Sequence, residues 1–491
     1  MLGVGLLHLA WWLIDERIPG DRAQMFQQLG AAYLSWGRPS TELLRLLTEP
    51  TGWFNVGLAG VVRLLGPSPG LIRSVCMAWS LALVGLAALL ARRLAGPWVA
   101  LATVAILSTS NLIVALGRIV WFHIPEAALA VALASLLVGD PELRWRRSPW
   151  LLALGGALLL SLRSTGGFWL VTLLPLVWPS LRARRRPLIG VAASWALAAL
   201  IPLRTLSVYL RGKLQARELY AELVPSLAEQ LGGQHVGWLA LALLAGAAAV
   251  GAWGLRSHRL ALVVLLTWVL APLALVGVFR SGIENHDVFM PALALLAAAG
   301  LVRGPRSAGL VLVGALVWQG LSQGLDRDQR RPLAGWVMSG DEEPVLDFQR
   351  PYAGLGRPEI EALFDASCDS DRPRTCLIVV HQGLFHPFSG SAGELELFLL
   401  QRHEVYLQLL HRQRPDQIRR TPRALAATVC DGGAQQELWL RRSPDSAERL
   451  TSALRLWELV EVWRAASDER CELVWYAPRG ELARPELLPA R

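Results

Sequence analysis

Three acids, Asp15, Glu16 and Asp21, fall within seven residues directly after the first apolar stretch of the 491-residue chain. Met25, Phe26, Leu29, Ala32 and Tyr33 follow at helical spacing, which reads as an amphipathic helix lying in a membrane interface. A carboxylate just outside a membrane helix can take the proton of an acceptor hydroxyl as general base, or hold a divalent cation such as magnesium or manganese. Acids are also the ordinary residues of a solvated loop, so these three do not make a site alone. A second acidic position adds weight. In GRIVWFHIPEAALAVALASLLV (117–138), His123 and Glu126 stand on either side of Pro125 at the mouth of an apolar run. Ionisable groups next to a membrane span are costly and are functional candidates for that reason. The plainer account is a capping role, with Pro125 in the first turn and Glu126 at the positive end of the helix dipole.

Arginine supplies the complementary charge. Arg73, Arg118, Arg163, Arg204 and Arg280 all fall at the outer ends of apolar runs. Guanidinium groups gathered on one leaflet suit an anionic ligand such as a lipid phosphate or pyrophosphate. Against that stands simple snorkelling to the headgroups, or pairing with Asp21 and Glu126. The stretch 204–236 adds Tyr209, Lys213, Tyr220, Glu222 and His235, and a late apolar run opens with Glu284, Asn285, His286 and Asp287.

The elements that must position these groups are membrane helices. The chain is 53% hydrophobic with a mean hydropathy of +0.38, and its apolar residues come in long blocks rather than evenly. Runs of about 18 or more such residues read as spans. Eleven are expected, at 1–14, 71–91, 97–112, 122–138, 149–162, 166–180, 188–203, 237–255, 260–278, 288–302 and 307–322. The net charge of +9 does not point to nucleic acid, because most arginines flank apolar runs. The residues MLGVGLLHLAWWLI (1–14) lack a basic n-region and a small-residue cleavage site, which argues against a removable signal peptide, and they are short for a full span.

Short arginine-bearing connections at Arg92-Arg93, 144–147, 182–186, 256–259 and 303–306 are expected on the cytosolic side. The stretches 15–70, 113–121, 163–165, 204–236 and 279–287, with the C-terminal tail, then face outward. The expected division is a membrane domain over 1–325, a linker over 326–357 and a soluble α/β domain over 358–491. In the tail, strands are expected at 374–382, 424–431 and 471–478, with helices at 393–410 and 446–466. That alternation implies a largely parallel sheet. His381 and Asp431, at the carboxyl ends of two strands, form a weak site candidate. Of the tail's four cysteines, Cys368 is expected to pair with Cys376 and Cys430 with Cys471, as an oxidising compartment favours. Cys76 reads as packing within a span.

Four stretches carry a family resemblance: GDRAQMFQQLGAAYLSWG, PTGWFNVGLAGVVRLLGPSPGLIRSVCMAWSLALVGLAALLARRLAG, LSTSNLIVALGRIVWFHIPEAALAVAL and ENHDVFMPALALLAAAGL. Their layout resembles the GT-C polyprenyl-phosphate-dependent glycosyltransferases, the protein mannosyltransferase and aminoarabinose transferase group. The resemblance implies a polytopic helix bundle in the bacterial inner membrane that moves a sugar from a polyprenyl-phosphate carrier to a lipid, glycan or protein acceptor on the outer face. It places Asp21, with Asp15-Glu16 as the alternative, at the catalytic centre, and Glu126 in the second outer loop. His123, Arg118, Arg163, Arg204, Arg280 and His286 would bind substrate. Metal use varies within the family. Two features depart from the pattern: the aromatic soon after the acid is Phe26 rather than tyrosine, and the first span is short. A transporter or flippase of lipid-linked intermediates, or a non-catalytic envelope assembly protein, are the rival classes.

Overall fold

The structure is a computed structural model. It describes residues 51–65, 69–110, 122–162, 164–183, 185–215, 226–228, 236–279, 288–325, 357–368, 377–381, 406–409, 415–418, 421–430, 446–466 and 471–488, with Leu44, Leu47, Ile113 and Leu231 besides. The contacts divide the chain into two compact units. One holds Met1–Asp15, Gly37–Leu58 and Gly70–Asp347; the other holds Glu16–Trp36, Ala59–Pro69 and Phe348–Arg491.

Twelve α-helices run from Gly52 to Leu325. They are α1 (Gly52–Leu65), α2 (Pro69–Ala95), α3 (Pro97–Thr109), α4 (His123–Gly139), α5 (Ser148–Leu162) and α6 (Ser164–Thr172), followed by α7 (Leu174–Ala183), α8 (Arg185–Gln215), α9 (Trp238–Gly254), α10 (Arg259–Phe279), α11 (Phe289–Leu301) and α12 (Arg306–Leu325). Most follow the apolar blocks closely. The expected span at 166–180 is instead two helices, α6 and α7, parted at Leu173. Pro175 accounts for the break, since it has no N–H to continue the ladder and disfavours helical backbone just before it. Between α2 and α3 the chain turns on Gly96, at φ 94°, a left-handed value that glycine takes without a side-chain clash. Pro97 then opens α3 at a position where its missing N–H costs nothing. Of the described helices, Ser74–Ala95 and Arg259–Gly277 are long and apolar enough to cross a membrane, and eight shorter ones of 10–17 residues are apolar. The expected run 1–14 lies outside the described residues.

Small residues set how closely the helices approach. A Cβ added at Gly251 of α9 would lie 1.8 Å from the Leu296 carbonyl oxygen, and one at Gly300 of α11 would lie 1.9 Å from that of Ala247. The two backbones therefore touch, the usual way membrane helices gain dispersion contact where the hydrophobic effect offers little. Along α11 every residue from Phe289 to Gly300 is buried. The α5–α8 contact works differently: Gly156 leaves room for the Trp195 indole, whose Nε1 donates to the Leu152 carbonyl at 3.1 Å.

The C-terminal unit carries α13 (Arg357–Ser367), β1 (Leu377–His381), β2 (Tyr406–Leu409), β3 (Ala424–Cys430), α14 (Ser446–Leu456), β4 (Leu459–Ala466) and β5 (Cys471–Pro478). The sheet order is β2-β1-β3-β5-β4. Its β1–β2 and β1–β3 pairs are parallel, while β3–β5 and β4–β5 are antiparallel. The sheet is thus mixed rather than largely parallel. The second correction explains the first: 446–466 is not one helix but a helix followed by strand β4. Glu458, at φ 51°, ends the helical path. The β-branched and aromatic residues after it then pair with β5, Trp463 opposite Trp475. Likewise 406–409 within the expected helix 393–410 is strand β2.

Helices cover both faces of the sheet. On one face, Leu377, Val379, Leu425 and Ala427 pack with Ala453 of α14 and with Trp457. On the other, Phe364 of α13 meets Trp475 edge-on at 5.4 Å, and the Trp475 indole N–H donates to Ser367 Oγ at 2.9 Å. Cys368 is disulfide-bonded, and Cys430 stands opposite Cys471 across the β3–β5 pair. Cys76 is a free, buried thiol.

Candidate active site

The site is built around the first turn of α4. Apolar residues fill this helix on every side, so it is buried all round rather than along one stripe. Its ionisable residues are correspondingly out of water: His123 and Glu126 are both 0% exposed. Spaced three apart, they share one face of the helix. Pro125 is the third helical residue, where an absent N–H costs no intrahelical bond, and the Glu126 amide donates to the Phe122 carbonyl at 2.9 Å to begin the ladder. The Phe122 and His123 rings lie 4.6 Å apart, centroid to centroid.

Glu126 is held from another helix. Thr165 Oγ1, in the first turn of α6, donates to Glu126 Oε1 at 2.6 Å. Such a short bond to a carboxylate is the charge-assisted kind, stronger than one between neutral groups. The position of Thr165 is fixed in turn by its neighbour. A Cβ on Gly166 would lie 2.1 Å from the Leu159 carbonyl oxygen, so α6 rests its backbone directly on α5. Further along α6, Thr172 Oγ1 donates to the Trp169 carbonyl at 2.6 Å and accepts from the Trp268 indole of α10 at 2.6 Å.

The end of the long loop before α1 is tied to the same end of α5. The Thr51 amide donates to the Ser161 carbonyl at 3.0 Å, and the Trp53 indole to that of Leu158 at 3.1 Å. Thr51 sits at φ 67°, a left-handed value that costs a β-branched residue on the order of 1–3 kcal/mol. Asn55 Nδ2 donates to its hydroxyl at 3.2 Å. Strain held at the boundary of the loop, three residues before Ser164, brings loop and site into one neighbourhood.

Of the residues selected from sequence, His123 and Glu126 come together here. Arg204 lies on α8 and Arg73 on α2. Asp15, Glu16, Asp21, Arg118, Arg163, Arg280 and His286 lie outside the described residues. Thr165 escaped sequence reasoning: it is 39 residues from Glu126, and no local spacing connects them. Among the described residues no three His, Cys, Asp or Glu side chains gather as a metal site. His123 and Glu126 supply two donors, fewer than a divalent cation's usual four to eight.

No protein-family profile matches the sequence, and no curated protein does. In solved structures, the chain is similar over its whole length to ArnT from Cupriavidus metallidurans in the apo state, with a TM-score of 0.57 at 14% identity, covering 100% of this chain and 99% of that one. ArnT from the same organism bound to undecaprenyl phosphate gives a TM-score of 0.57 at 13% identity with the same coverage. ArnT is an aminoarabinose transferase and one of the GT-C glycosyltransferases. Both parts of the present chain, the helix bundle and the sheet-containing tail, fall within that likeness. The chain has the fold of a GT-C glycosyltransferase.

Proposed function

We propose that the protein is a multi-pass glycosyltransferase of the bacterial inner membrane that moves a sugar from a polyprenyl-phosphate carrier to a lipid, glycan or protein acceptor on the extracytoplasmic face. The carrying observation is the buried Glu126 carboxylate, bonded to Thr165 inside a bundle that shares its fold with a transferase seen bound to undecaprenyl phosphate. A fully buried acid in an apolar helix is costly to keep, and chemistry is the reason to keep it.

In the reaction, the acceptor hydroxyl attacks the anomeric carbon. Its proton passes to a carboxylate, the bond from the anomeric carbon to the phosphate oxygen breaks, and the polyprenyl phosphate leaves with that electron pair. Asp21, or Asp15 with Glu16, takes the proton, and Glu126 assists from α4. Arg163, Arg204 and Arg280 bind the departing phosphate, as fixed positive charge stabilises an oxyanion. Arg118, His123 and His286 complete the substrate contacts. A divalent cation would be held by Asp21 or Asp15. The domain division follows the same logic, with transfer in 1–325 and the 358–491 domain outside the membrane.

The test is transfer from labelled polyprenyl-phosphate sugar by the purified protein, with and without a chelator. Loss of transfer in Asp21→Asn, Asp15→Asn or Glu126→Gln is expected. Full transfer by all three overturns the reading, as does carrier transport in liposomes without transfer.

A further inference from the structure

The turn between α4 and α5 is built more firmly, and carries more charge, than joining two helices requires. Asp140, 4% exposed, accepts from the Arg144 amide at 2.7 Å, the Trp145 amide at 2.9 Å and Ser148 Oγ at 2.6 Å. Leu143 is buried at φ 51°. From α7, Ser180 Oγ donates to the Pro141 carbonyl at 2.6 Å, which locks the end of that helix against the turn.

This fixed backbone presents Arg144, Arg146 and Arg147 on the surface. Glu142 is the one acid of the turn besides the buried Asp140, and it pairs with Arg144 at 2.7 Å. Arg182, one turn beyond Trp178 on α7, lays its guanidinium over that indole at 5.0 Å. The same corner exposes Trp145 by 56%, Trp150 by 78% and Trp178 by 52%. Arginine forks match phosphate oxygens. Indoles so exposed are at home at headgroup depth, with the ring in acyl chain and the N–H in water. A soluble anion would use the arginines and leave the indoles wet; a lipid headgroup uses both.

We infer that this corner is a binding site for an anionic phospholipid headgroup. It stands apart from the candidate active site, because Glu126 and Asp140 lie 14 residues apart on one helix, roughly 20 Å at the α-helical rise. It requires that the bundle sit in a bilayer, and it does not require transferase activity.

The experiment uses the full-length protein in nanodiscs of phosphatidylcholine doped with phosphatidylglycerol, with retained lipid counted by native mass spectrometry. Arg146→Gln, Arg147→Gln and Arg182→Gln together are expected to weaken phosphatidylglycerol retention roughly a hundredfold, about fivefold for each arginine. Arg256→Gln with Arg259→Gln, on the α9–α10 turn, is expected to leave retention at the wild-type level. If the triple variant fails to fold, Arg146→Gln alone, an exposed change, is expected to show its fivefold share. Wild-type retention in these variants overturns the site. Equal loss in the Arg256/Arg259 control also overturns it, since that outcome reports only general surface potential. Trp150→Ala with Trp178→Ala is expected to lower lipid retention without changing competition by inorganic phosphate. If those tryptophan changes are silent while inorganic phosphate displaces the lipid, the corner binds a soluble anion and the lipid assignment falls.

Discussion

Helix α4 carries a buried carboxylate at each end, and the two are held in opposite ways. Asp140 takes its hydrogen bonds from residues four, five and eight positions along, two of them backbone amides. Glu126 is reached by a hydroxyl 39 residues away on another helix. A carboxylate satisfied locally by backbone donors is a turn staple, and its negative charge needs nothing further. A carboxylate positioned across the bundle depends on tertiary structure for its geometry, which is how groups that do chemistry are held. Burial is nearly equal, at 0% and 4%. The source of the donors, not depth, separates a catalytic candidate from a structural acid.

Glu126→Gln is the sharpest way to break the contrast. Glutamine keeps the shape and can still accept from Thr165, so the fold should persist, while the ability to take or share a proton is lost. Transfer is expected to fall about a hundredfold to ten-thousandfold in kcat, with the thermal midpoint little changed. The reverse pattern is expected for Asp140→Ala. It strands donors in a buried turn at a cost of about 3 kcal/mol, read as a lower midpoint in thermal unfolding, with activity per folded molecule retained. A fall in kcat for Asp140→Ala at unchanged stability would erase the distinction.

Much of this asymmetry was legible in sequence, and part was not. Apolar block length set α4 at 122–138, against His123–Gly139 in the structure, and the cost of an ionisable group there singled out His123 and Glu126. The Thr165 bond was not legible. It depends on α6 lying against α5 at Gly166, and a glycine's near neighbours are not written in local spacing. The tail shows the limit of periodicity more sharply. Leucines at helical intervals carried the expected helix through 466, but Val460, Val462 and Trp463 are strand formers, and the β5 edge decides their state. A neighbour that exists only after folding overrode local propensity. The sheet's mixed direction follows from that strand.

Thr165→Val sharpens the comparison from the other side. Valine is nearly isosteric and removes the donor, so the carboxylate keeps its burial and loses its anchor. A drop of about tenfold in kcat is expected, the scale of one hydrogen bond to a charged group, with the KM for the carrier unchanged. Thr165→Ser, which restores the hydroxyl, should recover most of it. A change in stability alone, unrescued by serine, would make Thr165 a packing residue. In the double variant with Glu126→Gln the two losses should fail to add, because the hydroxyl acts through the carboxylate.

Ser148→Ala is the smallest change and tests the local end of the helix most directly. Ser148 Oγ is one of three donors to Asp140, and the two that remain are backbone amides fixed by the turn itself. Removing one neutral hydroxyl from an acceptor that is still satisfied should cost about 1 kcal/mol, seen as a small drop in unfolding midpoint, and leave transfer at the wild-type rate. A loss as large as that of Asp140→Ala would make the hydroxyl, not the amides, the centre of the staple. Slower transfer at unchanged stability would instead mean that α4 passes strain from one end to the other. In that case the two carboxylates would belong to one coupled element, and the source of their donors would no longer separate structure from chemistry.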